Sequence, residues 1–512
     1  MQAVMSQGRL ARTLNWVELA GSKLPHPFTL FFYLVLLTLG LSALLSWLDV
    51  TSVHPLSGQE IQVRSLLSGE GLVWFLTSFI TNITGFAPFG VVIVMAIGIG
   101  FAEQVGCIFA ALRLMISRVP RASLGYAMAF TGIMGNMASD AAFIIVPPLA
   151  ALMFLAAGRH PLAGFISAFT GAAGGFSANL LIGGNDVLLA GITNEALQSV
   201  SAQLQVSPVS NWYFLIVSVF ILTLAGGLIT DRLIEPRLGR YQPTTEQESL
   251  EQLTAQEHKG LRRVLYASLL FWGLVTALVL PDSSPLRHPD TGGLVPSPFM
   301  AGLVALIFFY FIVIGLVYGF TVGTLRSEAD IPAKLNQATK VVVPFIVLTL
   351  VIAQFIYMFN WTNLGAVLAI QGAGILKQSG LSAFPLLVAL ILLVAFLNLF
   401  LGSASAKWSL LAPVLIPMFA FLDISPAVVQ MAYRIGDSAT NPISPLFPYL
   451  PIMLSFITKY NKDAHVGTLF SLALPYAVVF LLLWIAQLGL WMLLDLPLGP
   501  DALSFYISLF QQ

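Results

Sequence analysis

The sequence predicts an all-α polytopic membrane protein with nine transmembrane helices and two re-entrant hairpins of opposite orientation. Of its 512 residues, 57% are hydrophobic and only 9% are charged, whereas about a quarter of the residues in a soluble globular domain are charged. Lys and Arg concentrate in alternate polar loops, a pattern typical of cytoplasmic loops. Two apolar stretches broken by Gly, Ser, Asn and Pro also resemble each other, which indicates a duplicated core.

The apolar run at residues 28–48 is long enough to span a bilayer and is not followed by a convincing cleavage site, so we interpret it as the first helix rather than a signal peptide. Basic residues before it place the N-terminus in the cytoplasm. The other crossings follow from apolar length and loop charge, and they leave the C-terminus outside. The nine crossings are predicted at residues 27–48, 88–106, 161–191, 211–230, 264–280, 297–324, 341–360, 425–458 and 467–494.

The hairpins are predicted at residues 123–158 and 382–421. The first has basic residues at both ends, which favours entry from the cytoplasm, whereas the second lacks a basic cluster at either end and is predicted to open outside. We divide the chain into N-terminal helices for scaffold and dimerisation (1–122), a first core repeat (123–210), middle helices for scaffold and core support (211–381), a second core repeat (382–466), and a last helix with an external C-terminus (467–512).

The duplication is visible in matching short strings. Ala138-Ser139-Asp140 followed by Pro147 has the same spacing as Ala404-Ser405-Ala406 followed by Pro413, and Ser177-Ala178 matches Ser438-Ala439. An odd number of predicted crossings separates the two copies, so they have opposite topology. Inverted repeats with broken helices are typical of secondary transporters, in which the substrate and ion sites lie at the breaks. We therefore predict an inverted-repeat transporter core.

Three ionisable residues lie in sequence that otherwise indicates membrane burial: Lys407, Arg434 and Asp437. Each costs at least about 2.5–3.5 kcal/mol there unless it faces protein or water. Arg434 and Asp437 are three residues apart, so they share a helix face and can pair. The pair either only stabilises the fold, or Arg434 binds a substrate carboxylate while Asp437 exchanges an ion. Lys407 is expected either to neutralise Asp140 or to contact substrate.

Oxygen ligands accumulate near the predicted breaks, namely Asn179, Asp186, Asn398, Asp437, Thr440 and Asn441. Asn398 and Asp437 could bind Na⁺, or a carboxylate could carry a proton instead, so H⁺ and Na⁺ both remain candidates for the coupling ion. Asp186 has no cation near it in the sequence and is expected either to carry a proton or to cap a turn. Trp408 either stacks on an aromatic substrate ring or packs in the core, and Pro426 and Pro445 are expected to set helix ends.

Composition also excludes several classes of site and partner. The single cysteine, Cys107, cannot form an intramolecular disulfide, and the zero net charge gives no basic field for nucleic acid. All six histidines fall in predicted loops or at segment ends, so we expect no histidine-ligated metal centre and no organic cofactor. Two alternatives to a transporter remain open, an ion channel and an intramembrane hydrolase with Ser403 or Ser405 and Lys407 as a catalytic pair.

At three strings the chain resembles the AbgT family of p-aminobenzoyl-glutamate transporters: Gly402-Ser403-Ala404-Ser405-Ala406-Lys407-Trp408-Ser409, the run from Ala432 to Pro445, and Gly175-Phe176-Ser177-Ala178-Asn179-Leu180-Leu181. The resemblance implies a bowl-shaped homodimer in the bacterial inner membrane. It also implies transport of p-aminobenzoyl-glutamate, with efflux of sulfonamide antimetabolites in some members, and leaves import and export both open. The residues implied to matter for transport are Asp186, Asn398, Ser405, Trp408, Pro426, Arg434, Asp437 and Pro445.

Overall fold

The computed structural model describes residues 27–507 except 54, 56, 57, 118, 137–140, 199, 201–203, 242–252, 290, 295, 296, 341, 463 and 503. In its first half the helices are α1 (Pro27–Trp47), α2 (Gly69–Thr84), α3 (Ala87–Gln104), α4 (Cys107–Ser117), α5 (Leu124–Gly135), α6 (Ala141–Ala156), α7 (Pro161–Gly174), α8 (Gly184–Leu197) and α9 (Trp212–Ile229). Helix α9 continues through a π-helical turn, Thr230–Ile234, into a last turn, Glu235–Leu238.

The second half begins after the polar connection. Its helices are α10 (Ala255–Val279), α11 (Leu303–Val322), α12 (Asp330–Thr339), α13 (Val343–Trp361), α14 (Leu364–Gln378), α15 (Ala383–Leu397), α16 (Ala404–Ala420), α17 (Pro426–Thr440), α18 (Leu450–Tyr460) and α19 (Val466–Leu493). A single turn at Pro298–Ala301 precedes α11, and a 3₁₀ turn at Asn441–Ile443 follows α17.

Among the described residues, seven helical stretches are long and apolar enough to cross a membrane: Pro27–Trp47, Gly69–Gln104, which includes the turn between α2 and α3, Trp212–Leu238, Ala255–Val279, Leu303–Val322, Val343–Trp361 and Val466–Leu493. Each contains the roughly 20 residues that a bilayer core requires, or nearly so. Many large apolar side chains on these helices are exposed, as expected for a lipid-facing surface. The protein is therefore a multi-pass membrane protein.

Two further predicted crossings are broken helices. The first is α7 and α8, separated by residues 175–183, and the second is α17 and α18, separated by residues 441–449. If each broken segment crosses once, the total is the predicted nine, and that count stays a prediction. The first break comes where the sequence places it, but α8 continues to Leu197, into the region predicted as an external loop.

The predicted hairpins correspond to helix pairs, α5 with α6 and α15 with α16. These helices have 12, 16, 15 and 17 residues. A helix of 12 residues is about 18 Å long, well short of the roughly 30 Å hydrocarbon core. In both copies the first helix of the pair lies against the first half of the following broken helix, α5 against α7 and α15 against α17. Re-entry from opposite faces stays a prediction.

The prediction that the last core helix breaks from Gly436 onwards was wrong. Helix α17 continues through Gly436 to Thr440, and the break follows it. Gly436 has a packing role, because a Cβ there would lie 2.4 Å from the carbonyl oxygen of Ile391 in α15. The glycine that looked like a helix breaker therefore allows two core helices to approach closely.

We expect Gly436→Ala to lower the thermal midpoint, because the methyl group would force α15 and α17 apart at a cost of about 1–3 kcal/mol. Gly40→Ala is the matched control, since Gly40 is exposed on α1 with no atom within 4 Å of a built Cβ. Thermal unfolding of the two variants in the same detergent compares them. Equal midpoints for both would show that the close approach is not tight in solution.

An antiparallel ribbon was not predicted. Strand β1 (Thr51–Val53) pairs with β2 (Glu60–Gln62) in the loop after α1, with Ser52 opposite Ile61. The Asn363 side chain donates to the Gln62 carbonyl oxygen at 2.8 Å. The ribbon is therefore held over the junction of α13 and α14.

A charge cluster joins the α6–α7 connection to the end of α9. Arg159 contacts Asp231 at 2.6 Å and also bonds Glu235. Burial lowers the pKa of Arg159, but hydrogen bonds and charge attraction from Glu235 and Asp231 outweigh this effect, so the pKa is raised. The cluster lies beside the start of α7, at the opposite end of that helix from the break, and serves below as a reference ion pair.

Candidate transport site

The first break places Asp186 at the start of α8. Its Oδ2 atom accepts hydrogen bonds from the Gly183 backbone N–H at 2.7 Å and from Asn179 Nδ2 at 2.9 Å. A carboxylate in this position caps the helix and is stabilised by the positive end of the helix dipole. The capping role left open by the sequence is therefore observed.

Asp186 also forms an ion pair. Arg434 Nη2 lies 2.6 Å from Asp186 Oδ1, and each side chain is 1% exposed. The same Nη2 donates to the Ser177 carbonyl oxygen at 3.3 Å. The predicted pairing of Arg434 with Asp437 was therefore wrong, and Asp186, which has no cation near it in the sequence, receives one from α17. Although Arg434 and Asp437 are close in sequence on α17, the long guanidinium side chain extends across to the first break.

The two breaks meet at matching residues. Ser438 Oγ donates to Ser177 Oγ at 2.7 Å, and these are the serines that correspond in the duplicated strings. Asn441 Nδ2, at the start of the second break, donates to the carbonyl oxygen of Ala173 at 3.2 Å. Arg434–Asp186 is therefore one of several contacts that join the first repeat to the second.

A second ion pair lies within the second repeat. Lys407 Nζ lies 2.5 Å from Asp437 Oδ1 and also donates to Asn398 Oδ1, with the Lys407 side chain fully buried. Lys407 was predicted to neutralise Asp140 or to contact substrate, but its charge partner is Asp437. Asp140 lies outside the described residues.

Asn398 organises the surroundings of this pair. Its Nδ2 atom donates to the backbone oxygen of Asp437 at 2.7 Å and to the side-chain oxygens of Thr440 and Asn441, both at 2.9 Å. These three oxygens and Asn398 Oδ1 form a compact oxygen-rich cluster of the kind that hard cations prefer. The two predicted Na⁺ ligands, Asn398 and Asp437, are both in contact with the Lys407 ammonium group. A sodium ion that used both side-chain oxygens would have to compete with that lysine.

Trp408 is enclosed by protein. Its ring lies 4.4 Å, centroid to centroid, from that of Tyr433, and its Nε1 donates to Thr193 Oγ1 at 3.0 Å. Gln430 Nε2 donates to the same hydroxyl at 2.9 Å. In this arrangement the indole packs in the core, so a substrate ring could reach it only after the second hairpin and α8 separate.

The remaining predicted residues lie around these pairs. Ser405 is in the first turn of α16, with its Oγ 3.3 Å from that of Ser403. The Lys407 ammonium group is directed to Asp437 and Asn398 and not to either serine, so the geometry does not assemble the Ser/Lys pair of a hydrolase. Pro426 occupies the first turn of α17. Pro445 lies in the second break.

Two buried polar atoms near the first ion pair have no hydrogen-bond partner in the described structure, Arg434 Nε and Asn179 Oδ1. Arg434 bonds Asp186 through Nη2, and Asn179 bonds it through Nδ2. Buried donors and acceptors are nearly always satisfied. The cluster therefore has an unused donor and an unused acceptor available to a polar ligand.

An apolar cavity of about 830 Å³ lies beside the first break, lined by aromatic residues that include Trp212, Trp272 and Phe311. Trp212 Nε1 donates to the Leu180 carbonyl oxygen at 3.1 Å, which connects the cavity wall to the break. None of the charged side chains of the two ion pairs lines this cavity. The cavity is thus a neighbour of the candidate site and not the site itself.

Sequence reasoning missed Tyr433 and Thr193. Tyr433 Oη donates to the Ala404 backbone oxygen at 2.5 Å and lies 3.4 Å from Asp437 Oδ1. The four-residue spacing of Tyr433 and Asp437 places them on one helix face and was a usable signal. Thr193 gave no such signal, because its role depends on how α8 contacts α16 and α17.

Comparison with known proteins agrees with this architecture. Residues 12–506 match the family model described as "AbgT putative transporter family". The chain belongs to the AbgT family. It is 43% identical over 500 residues to the "p-aminobenzoyl-glutamate transport protein" of Escherichia coli strain K12, an alignment that covers 98% of each chain.

Two solved AbgT-family structures are also similar. The YdaH transporter of Alcanivorax borkumensis has a TM-score of 0.89 and 40% identity, with 93% of this chain and 100% of that chain covered. MtrF of Neisseria gonorrhoeae, described as illuminating a class of antimetabolite efflux pumps, has a TM-score of 0.90 and 40% identity, with 96% and 100% covered. These AbgT relatives are named as transporters or pumps, which confirms the predicted family and the prediction of a transporter rather than an enzyme.

Proposed function

We propose that this AbgT-family protein is an ion-coupled secondary transporter of p-aminobenzoyl-glutamate and related aromatic carboxylates. The proposal extends to export of sulfonamide antimetabolites and to coupling with H⁺ or Na⁺. The names of the Escherichia coli and Neisseria gonorrhoeae relatives support the substrates. The observation that carries the proposal is the buried Arg434–Asp186 pair between the two breaks.

The pair suits a substrate that carries carboxylates. Arg434 uses one nitrogen on Asp186 and leaves Nε unpartnered among the described residues. A substrate carboxylate can bind the guanidinium through Nε and a terminal nitrogen in the forked geometry that arginine favours. The aromatic ring of p-aminobenzoyl-glutamate would then stack on Trp408 or Tyr433, whose rings lie 4.4 Å apart, once the second hairpin and α8 separate.

Exchange of the ion-pair partners of Arg434 and Asp437 gives an alternating-access cycle. Substrate binding at Arg434 weakens the contact with Asp186, which joins α17 to α8 and hence one repeat to the other. Cation binding at Asp437 competes with Lys407 within the second repeat. Because Arg434 and Asp437 lie on the same helix, α17, each exchange changes the restraints on the same element. We propose this linkage as the basis of coupling.

An ion channel is the alternative function. A channel needs a continuous polar path, whereas both charge pairs are buried and closed by their own partners. We also propose that the protein is a homodimer in the bacterial inner membrane, in contact with lipid, with a cytoplasmic N-terminus and an external C-terminus. The family resemblance and the loop charges support these assignments.

Reconstituted protein tests the function directly. Proteoliposomes loaded with unlabelled p-aminobenzoyl-glutamate should take up the labelled compound by saturable counterflow. An imposed H⁺ or Na⁺ gradient should drive net accumulation, and a sulfonamide should compete with the labelled compound. Ion conductance at channel rates without counterflow would instead establish the channel.

A further inference from the structure

Helix α8 contains a second buried acid, Glu195, which the transport site does not use. The residue is 1% exposed, and its Oε1 atom has no hydrogen-bond partner in the described part of the chain. Its Oε2 atom accepts from Gln198 Nε2 at 3.0 Å, and Gln198 is exposed at the end of the helix. Glu195 is therefore a buried carboxyl with one link to the surface.

Within the described ranges of the chain, no ion pair compensates this carboxyl. On the helices against α8, Arg434 of α17 pairs with Asp186, and Lys407 of α16 pairs with Asp437. Asp186 is nine residues from Glu195, about 14 Å along the helix. On α3 the titratable residue is Glu103, near the C-terminal end of the helix. The contact between α3 and Gly191 of α8 is made by Pro88, at the opposite end of α3.

Among the described residues, the titratable group that interacts with the carboxyl is the Tyr357 hydroxyl of α13. That hydroxyl donates its single hydrogen to the Gly85 carbonyl oxygen at 3.1 Å. The hydrogen of Tyr357 is therefore directed away from the carboxyl, and Glu195 Oε1 has no hydrogen-bond partner in the described part of the chain. A proton on the carboxyl would give it a hydrogen to donate and would also remove a buried charge.

We propose that Glu195 is a proton-binding site of the transport cycle, separate from the Arg434 and Asp437 centres. A proton from water at the Gln198 end bonds to a carboxylate oxygen of Glu195 when α8 is packed as observed. The same O–H bond breaks, and the proton returns to water, when α8 moves away from Tyr357 and the carboxyl is hydrated. The proposal rests on the proposed function and names H⁺ as a coupling ion.

Glu195→Gln tests the proposal, because the amide matches the shape of the protonated acid but cannot release a proton. In proteoliposomes with labelled p-aminobenzoyl-glutamate, the variant should keep saturable counterflow at equal pH and lose accumulation driven by a pH gradient. Infrared difference spectra of purified wild-type protein should contain a protonated-carboxyl band that the variant lacks. Glu60→Gln, an exposed acid-to-amide change on β2, is the control and should behave as wild type.

Three results would overturn the role of Glu195: pH-driven accumulation by Glu195→Gln at the wild-type level, wild-type transport driven by Na⁺ with no response to pH, or an unchanged carboxyl band in the variant. Each leaves the proposed substrate and transporter function intact. Failure of the wild-type protein to show counterflow would instead contradict the proposed function. The two failures are therefore distinguishable in one set of vesicles.

Discussion

Replacing both members of the Arg434–Asp186 pair, as Arg434→Gln with Asp186→Asn, is expected to give a folded protein that no longer transports p-aminobenzoyl-glutamate. Arg434→Gln alone leaves a carboxylate unpaired in a buried site, at a cost of about 3–5 kcal/mol. The double variant removes both charges, so its thermal midpoint should return towards that of the wild type. Counterflow of p-aminobenzoyl-glutamate should stay at background in both the single and the double variant, because the substrate carboxylate has lost the guanidinium group that binds it.

Two further variants sharpen this experiment. Arg434→Lys keeps the charge but loses the fork, so it should be more stable than Arg434→Gln and still transport poorly. Arg159→Gln removes a cation from the cluster with Asp231 and Glu235 and should lower stability without lowering transport per folded molecule. Wild-type counterflow by the double neutral variant would show that the buried pair is only structural.

Neutralising the Lys407–Asp437 pair is expected to separate stability from ion coupling. Asp437→Asn alone leaves the fully buried Lys407 ammonium without its carboxylate and should strongly destabilise the protein. Lys407→Met with Asp437→Asn removes both charges and should recover much of the thermal midpoint. Net uptake by the double variant should not rise when a Na⁺ gradient is imposed, because the proposed cation-exchanging carboxylate is gone.

The single variant Lys407→Met examines the oxygen cluster itself. Without the ammonium group, Asp437 and Asn398 present free oxygens, so Na⁺ should raise the thermal midpoint of this variant. The same concentration of a bulky organic cation should have no such effect, and Asp437→Asn should not respond to Na⁺. A full gradient response in the double variant would exclude Asp437 from coupling.

The sequence singled out residues that the structure brings together in the candidate site, but it did not indicate how they pair. Lys407, Arg434 and Asp437 stand out because charges are costly in apolar sequence, and all three are buried between broken helices. The assignment of Arg434 to Asp437 failed because helical spacing reports only which side chains share a face. It does not report which partners approach from α8 or α16.

The roles of the glycines were also only partly predictable from the sequence. The breaks at residues 175–183 and 441–449 themselves contain Gly, Asn or Pro residues, and the sequence located both approximately. Gly436 also resembled a breaker, yet it lies inside a continuous helix against Ile391. Local propensity cannot distinguish a glycine that ends a helix from one that lets another helix approach, since the difference lies in the neighbouring element.

The amino-acid sequence alone determined the class of this protein, because apolar length, loop charge and duplicated broken segments are properties of the chain read along its length. Tertiary structure alone decided the partners: Arg434 with Asp186, Lys407 with Asp437, and Ser177 with Ser438. Those contacts join residues up to 261 positions apart. Their energies depend on distance and burial, which follow from how the two repeats pack together and not from the order of residues.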